Sequence, residues 1–308
     1  MAKKKTNQIQ IKVIIVIMFA ILSLIGIEYK EIEEFFNPTK SVINKVTAEE
    51  SENIVLEGDS ILQIHFFDVG QADSILLINN NETMLIDAGN NEDGNKIVSN
   101  IKKLGIEKID YLVGTHPHKD HIGGLDNVIS NFEIKNIYMP KVQTNTKTFE
   151  DVLNAVESKN LKITTPKQGE KFTIGNTECE IMLEGTETNK QQENLNLASI
   201  ALRVTYKEQS YLFMADCEEE NENSRTWPQT NVLKVGHHGS NTSTSKDFLN
   251  EVLPQISIIS LGKDNDYGHP HQTTIDKLEK LGTLTYRTDE KGNILLESDG
   301  KNNKISFY

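Results

Sequence analysis

Thr115-His-Pro-His-Lys-Asp-His121 directly follows the apolar run Tyr111-Leu-Val-Gly114. A short unbroken apolar run of this kind reads as a buried strand. The histidines and the aspartate therefore sit at its C-terminal end, where open α/β sheets place their sites. Pro117 disfavours helical geometry at His116, and a tight loop there can turn His116, His118, Asp120 and His121 towards one point. Imidazole nitrogens with a carboxylate and no thiolate suit Zn²⁺, Mn²⁺ or iron rather than Ca²⁺ or Mg²⁺.

Working outward, seven of the eight histidines fall in three short segments: the one above, Gly236-His-His-Gly-Ser240, and Gly268-His-Pro-His271. Such grouping is what a site needing several neutral imidazoles requires. His65 stands apart inside a strand pattern and is expected to be packed. His269 and His271 suit either a phosphate or leaving group at a rim, or the bracing of a loop. Ser240, Thr242 and Ser243 are expected to cap the helix that follows.

Upstream, IHFFDVG and SILLI are separated by Gly70 and Gln71, and TMLIDAG follows a polar Asn79-Asn-Asn-Glu turn. This pattern reads as strand, loop, strand, hairpin, strand. A helix suits residues 95–105, with others near 122–131, 148–158, 245–252 and 273–281. Later strands are expected at 136–139, 178–184, 199–206, 210–215, 231–235, 256–261, 283–286 and 293–297. Interspersed strands and helices over about 250 residues fit a layered α/β domain. With 37% hydrophobic residues the chain can bury a large core, and its net charge of −13 argues against a charge-driven grip on nucleic acid. Bound cations can nevertheless supply local positive charge. Arg203, Arg225 and Arg287 are the only arginines, so bidentate phosphate clamps are scarce. Cys179 and Cys217 make neither a disulfide framework nor a thiolate metal site.

The N-terminal end is of another kind. Met1-Ala-Lys-Lys-Lys is basic, and Val13 to Ile27 is apolar apart from Ser23. With Ile9 and Ile11 the stretch approaches the roughly 20 residues of a membrane span, and it lacks the polar face of a core helix. Glu28-Tyr-Lys-Glu-Ile-Glu-Glu lacks the small residues of a cleavage site. An uncleaved anchor is therefore preferred to secretion after signal cleavage. The lysines keep the N-terminus in the cytoplasm and place the rest outside. The expected organisation is a basic end and anchor over 1–29, a tether over 30–58 and a catalytic domain over 59–308.

His-Pro-His-Lys-Asp-His resembles the H-x-H-x-D-H signature of the metallo-β-lactamase superfamily. FFDVGQADSILL, MLIDAGN, THPHKDHIGG, YLFMADCE, VLKVGHHGS and YGHPH also follow the order seen in the extracytoplasmic domain of ComEC-type competence proteins. The likeness spans about residues 61–300. It implies a four-layer αββα sandwich behind one transmembrane helix, holding two divalent metal ions, Zn²⁺ or Mn²⁺. His116 and His118 would hold one metal, and Asp120 and His121 the other. Asp216 would bridge the two. One of the pair His237 and His238 would complete the set, with His237 preferred. Asp87 would orient a ligand histidine, or else serve only as a turn residue before Gly89. Many members of the superfamily add a metal-binding histidine between the first cluster and the bridging aspartate. None lies between His121 and His237 here, and Asn196-Leu-Ala-Ser199 stands in that region. One metal would then lack a nitrogen ligand, which shifts preference towards Mn²⁺ or a loosely held second Zn²⁺. Ala72 stands where full-length ComEC proteins usually carry glycine.

The resemblance implies hydrolysis, with Asp120 orienting the attacking water. The first expected activity is phosphodiester cleavage, with DNA as the substrate. A small ester, phosphoester or lactam is the alternative, and an inactive metal-containing binding module a third.

Overall fold

The computed structural model describes residues 56–308 except Asp59 and 186–192. The apolar stretch over 13–27 and nearly all of the tether lie outside the described residues. Among those described, no helix is long and apolar enough to cross a membrane.

The apolar alternation along the first strands dictates two opposite faces. In β1 (Leu62–Phe66), β2 (Ile75–Asn79) and β3 (Glu82–Ile86), residues Leu62, Ile64, Phe66, Ile75, Leu77, Met84 and Ile86 point into one core. Leu76 and Leu85 point into another. The β2–β3 hairpin turns at Asn80 and Asn81, both at positive φ, as the polar turn requires. From β3 the sheet continues in parallel through β4 (Lys108–Val113), β5 (Glu133–Tyr138) and the short β6 (Ile163–Thr164). It is closed on the other side by β14 (Ile294–Ser298) and β15 (Asn303–Phe307).

The second sheet has seven strands. β7 (Lys171–Ile174), β8 (Thr177–Leu183), β9 (Ala201–Tyr206) and β10 (Gln209–Phe213) pair antiparallel. β11 (Val232–Lys234), β12 (Ile256–Ile259) and β13 (Leu284–Arg287) extend it in parallel. Tyr211, Phe213, Val232, Ile256 and Ile258 face the first sheet across the shared core, whereas Leu212, Leu233 and Ile259 face outward.

Helices cover both outer faces. α1 (Gly94–Lys103), α2 (Lys119–Ile122), α3 (Leu125–Asn131) and α4 (Lys147–Ser158) lie along the first sheet and bury Ile97, Ile101, Val128 and Val152 there. On the second sheet, α6 (Lys246–Val252) and α7 (Gln272–Leu281) bury Phe248, Leu249 and Leu278; α5 (Glu219–Glu222) and α8 (Thr288–Lys291) are single turns. The expected αββα layering is what the described residues adopt.

Three details differ from the sequence reading. The single helix expected near 122–131 is two short helices broken at Gly123-Gly124. A Cβ on Gly123 would lie 2.3 Å from the Asn91 nitrogen and 2.4 Å from the Asn90 carbonyl carbon, so the chain passes there too closely for a side chain. The cap of α6 is Ser245, which accepts from the Phe248 N–H, and not Ser240, Thr242 or Ser243. The edge strands β6, β7 and β15 had no apolar run long enough to announce them. Cys179 and Cys217 are free and buried, and His65 is packed as expected, its ring stacked on Phe67 at 6.0 Å. Burial brings the His65 imidazole down to about 4.

Candidate metal centre

Loops from both sheets meet at one edge of the sandwich. His116, His118, Asp120 and His121 follow β4, Asp216 follows β10, and His237 and His238 follow β11. The backbone there is bent hard. Asp87, Ala215, His237 and His238 all have positive φ, between 47° and 58°. Each costs a non-glycine residue on the order of 1 kcal/mol or more, and such strain concentrates at functional sites. Contacts hold the bends in place: the His237 N–H donates to the Ala215 carbonyl at 2.8 Å, the Ser240 N–H to the His237 carbonyl at 2.7 Å, and the Ser243 hydroxyl to the Gly236 carbonyl at 2.9 Å. Thus Ser240 and Ser243 brace the double-histidine turn. Thr242 joins them through His237 Nδ1, 3.0 Å away.

Four side chains present ligand atoms to one point. Asp216 Oδ1 lies 3.2 Å from His121 Nε2 and 3.5 Å from His238 Nε2, while Asp120 Oδ2 lies 3.8 Å and 3.4 Å from the same two nitrogens. Tetrahedral ligands about 2.1 Å from a cation stand about 3.4 Å from one another, so these spacings fit one ion. Three of the atoms, His121 Nε2, Asp216 Oδ1 and His238 Nε2, are buried without a hydrogen-bond partner. Buried orphans of this kind call for an occupant. The other oxygen of Asp216 faces a second group: Oδ2 lies 3.7 Å from His116 Nε2, which lies 3.0 Å from His118 Nδ1. Asp216 thus offers one oxygen to each group, the arrangement expected of a bridging carboxylate. The donor set fits a pair of divalent cations.

Of the two adjacent histidines, the structure places His238 in the first group. Its side chain is 2% exposed and its Nδ1 donates to the Ser260 carbonyl at 2.8 Å, leaving Nε2 for the centre. His237, the sequence preference, stands at the rim, 20% exposed, with Nε2 3.7 Å from Asp216 Oδ2 and 3.4 Å from the Asn196 amide nitrogen. The two left-handed residues reverse the direction in which neighbouring side chains point, and no strand or helix period foretells that. Asn196 sits beside the second group, donating to Glu218 Oε1 at 3.0 Å and leaving its own Oδ1 without a partner. Ser199 is fully buried, with Oγ making no hydrogen bond among the described residues.

The supporting shell is built from charge. Asp87 occupies a left-handed turn, and its Oδ2 accepts from His121 Nδ1 at 2.8 Å. Thr115 donates its N–H to Oδ1 and its hydroxyl to Oδ2, at 2.8 Å and 2.7 Å. Burial pushes the Asp87 carboxyl up from its ordinary range, with His121 and Thr115 opposing. The sequence reading missed a second support. Lys234, 1% exposed, pairs with buried Asp73 at 2.9 Å, and Asp73 Oδ1 stands 3.5 Å from His238 Nδ1. The signal was present: a lysine inside the apolar strand NVLKVG and an aspartate inside QADSILL are both charges that burial forbids unless paired.

Burial and then His121 hold His116 well below its ordinary value, and burial also lowers His118. Both are neutral near pH 7, the form that binds metal. His121 and His238 behave oppositely. Burial lowers them, but Asp216 with Asp87 on His121, and Asp216 with Asp73 on His238, more than offset it and raise both. Burial likewise raises Asp120 and Asp216, yet the facing imidazoles hold both carboxyls below their ordinary range. The centre opens into a cavity of about 310 Å³ lined by Gln71, His118, Asp120, Asn196, Tyr267 and His269, among others. His269 lines this cavity. His271 does the bracing, since its N–H donates to the Gly239 carbonyl and its Nδ1 accepts from the Asn241 N–H.

The model of the metallo-β-lactamase superfamily matches residues 67–263, which take in Asp73, the His116–His121 loop, Asp216, Lys234 and His238. The chain belongs to the metallo-β-lactamase superfamily. Among proteins similar to it, ComE operon protein 3 of Bacillus subtilis is 30% identical over 208 residues, covering 66% of this chain and 26% of that protein. Recombination protein 2 of Haemophilus influenzae is 26% identical over 239 residues, 75% of this chain and 28% of its own length. Competence protein ComA of Neisseria gonorrhoeae is 27% identical over 232 residues, 73% and 31% respectively. The chain therefore spans under a third of each of these proteins. The metallo-β-lactamase fold protein YhfI of Bacillus subtilis superposes with a TM-score of 0.53 at 12% identity, over 78% of this chain and all of that one.

Proposed function

We propose that this chain is a metal-dependent phosphodiesterase that cleaves DNA on the outer side of a membrane, to which residues 13–27 anchor it. The observation that carries the hydrolytic reading is the convergence of unpartnered His121, Asp216 and His238 atoms on one point, with Asp216 turned also towards His116. The competence and recombination names of the relatives support DNA as the substrate. The basic Met1–Lys5 end before an apolar stretch supports the orientation.

His116, His118, Asp120, His121, Asp216 and His238 would hold two cations, Zn²⁺ or Mn²⁺. When bound, the cations supply activation of water and neutralise charge on the departing oxygen. The chain's own residues do the rest. Asp120 is 30% exposed and faces the cavity, where its carboxylate can orient the attacking water and accept its proton. Asp87 fixes the ring orientation of His121, and the Ser260 carbonyl that of His238.

The test uses the full chain, stripped of metal and reloaded with Mn²⁺ or Zn²⁺. It is offered circular single-stranded DNA and, separately, a small chromogenic phosphodiester. The expected result is cleavage of the circle, reduced at least about a hundredfold by Asp120→Ala. Turnover of the small ester alone would replace DNA by a small ester, phosphoester or lactam. Tight metal binding with no turnover of either would leave a binding module.

A further inference from the structure

We propose that Tyr267 is a stacking platform for a nucleobase of the strand whose phosphodiester enters the metal centre; this rests on the phosphodiesterase reading above. Tyr267 is 69% exposed, more than Leu104, Leu153, Phe307 or Tyr308, and it lines the cavity together with His118 and Asp120. His269 lies against its ring at 5.6 Å and 23°, in a stacked arrangement, and His269 in turn stacks towards His238 at 6.4 Å and 26°. A row of flat rings thus runs from a ligand position of the centre to the cavity mouth and ends on a tyrosine that is open to solvent.

The platform is fixed. Asn265 donates through Nδ2 to the Gly262 carbonyl at 2.9 Å and the His269 carbonyl at 2.6 Å. Its Oδ1 accepts from the N–H groups of Tyr267 and His269 at 3.2 Å and 3.0 Å. Gln71 secures the loop from the first sheet, accepting from the Gly262 N–H at 3.2 Å and donating to His269 Nδ1 at 3.1 Å. A loop clamped so heavily keeps Tyr267 exposed at no packing benefit to the fold.

Charge argues for a base as the occupant. Asp266 directly precedes the tyrosine and Asp264 lies two positions before that, in a loop that also carries Lys263, and Lys119 at the cavity is paired to Glu92 at 3.1 Å, so the mouth has little free positive charge with which to hold a lipid headgroup. Stacking is indifferent to that charge and tolerates every base, because each has a π-face. The metal centre would hold one phosphate and the platform a neighbouring base.

Equilibrium binding tests this independently of turnover. The metal-loaded full chain is titrated, by fluorescence anisotropy, with cleavage-resistant phosphorothioate forms of a labelled single-stranded oligonucleotide and of an abasic strand of the same length, the unmodified strands serving for the KM comparison. The wild type is expected to bind the base-bearing strand about tenfold more tightly. Tyr267→Ala brings that ratio close to one, whereas Tyr267→Trp and Tyr267→Phe keep it. A wild-type ratio near one, failure to bind either strand, or a tenfold ratio surviving in Tyr267→Ala overturns the platform. Cleavage of both strands with equal KM overturns it while sparing the phosphodiesterase reading. A base-dependent ratio without cleavage of any phosphodiester does the reverse.

Discussion

Lys234 and Asp73 are the buried charge pair that stands behind His238, with Asp73 Oδ1 3.5 Å from its Nδ1. Both are buried, at 1% exposure each, and the ammonium bonds the carboxylate at 2.9 Å while also donating to the Val235 carbonyl. Removing one member leaves the other as an uncompensated buried charge, at a cost of about 3–5 kcal/mol. Lys234→Met is therefore expected to lower unfolding free energy by that amount in denaturant titrations. Lys234→Met combined with Asp73→Asn is expected to recover most of it. The double variant should still bind metal about 10- to 100-fold more weakly, because the charge that backs His238 is gone. A single variant as stable as the wild type would show the pair to be incidental. At this scale the sequence was legible where residue type alone decides chemistry. The HPHKDH loop was recognisable by its donors, and Asp216 only through the resemblance to the metallo-β-lactamase superfamily. The choice between His237 and His238 was not, because it rests on two successive left-handed residues, and neither was the Lys234–Asp73 pairing, which joins positions far apart in the chain.

At the scale of elements, the strands that carry the centre were legible because each buries two faces or alternates strictly between them. YLVGT, SYLFMA and NVLKVG all end where the site begins. The short edge strands escaped because they bury one side of a few residues. The helix over 122–131 was misjudged for a different reason: its break is set by contact with another loop. Gly123 lies against Asn90 and Asn91, and Gly124 donates its N–H to the Ala88 carbonyl at 3.2 Å. The same loop donates the Ala88 N–H to the His121 carbonyl at 2.7 Å, so the break positions a ligand candidate. Gly123→Ala is expected to destabilise the fold by about 2–3 kcal/mol through overpacking. That would lower Tm by roughly 5 °C or more in a domain of this size. Thermal melts of the metal-free protein check this directly, and a Tm within a degree of the wild type would mean the loop yields freely.

For the whole molecule, the αββα layering brings three loops from two sheets to one edge, so the cluster of ligand atoms also joins the sheets. A centre of this kind couples metal, protons and stability. In the metal-free chain the facing carboxylates hold His121 and His238 above their ordinary value. Wherever these imidazoles carry protons, a cation must displace them to bind. Apparent metal affinity should thus rise with pH and level off once both are deprotonated. Binding in turn should raise the unfolding temperature. The most direct measurement is calorimetric titration of the metal-free full chain with Zn²⁺ or Mn²⁺ at neutral pH, in buffers of different ionisation enthalpy, for the wild type, His118→Ala, His238→Ala and Asp216→Ala. The expected result is two cations per wild-type chain with release of protons, one for either histidine variant, and none bound tightly once Asp216 is replaced. A single cation in the wild type, or two retained without Asp216, would contradict a shared carboxylate between two metals.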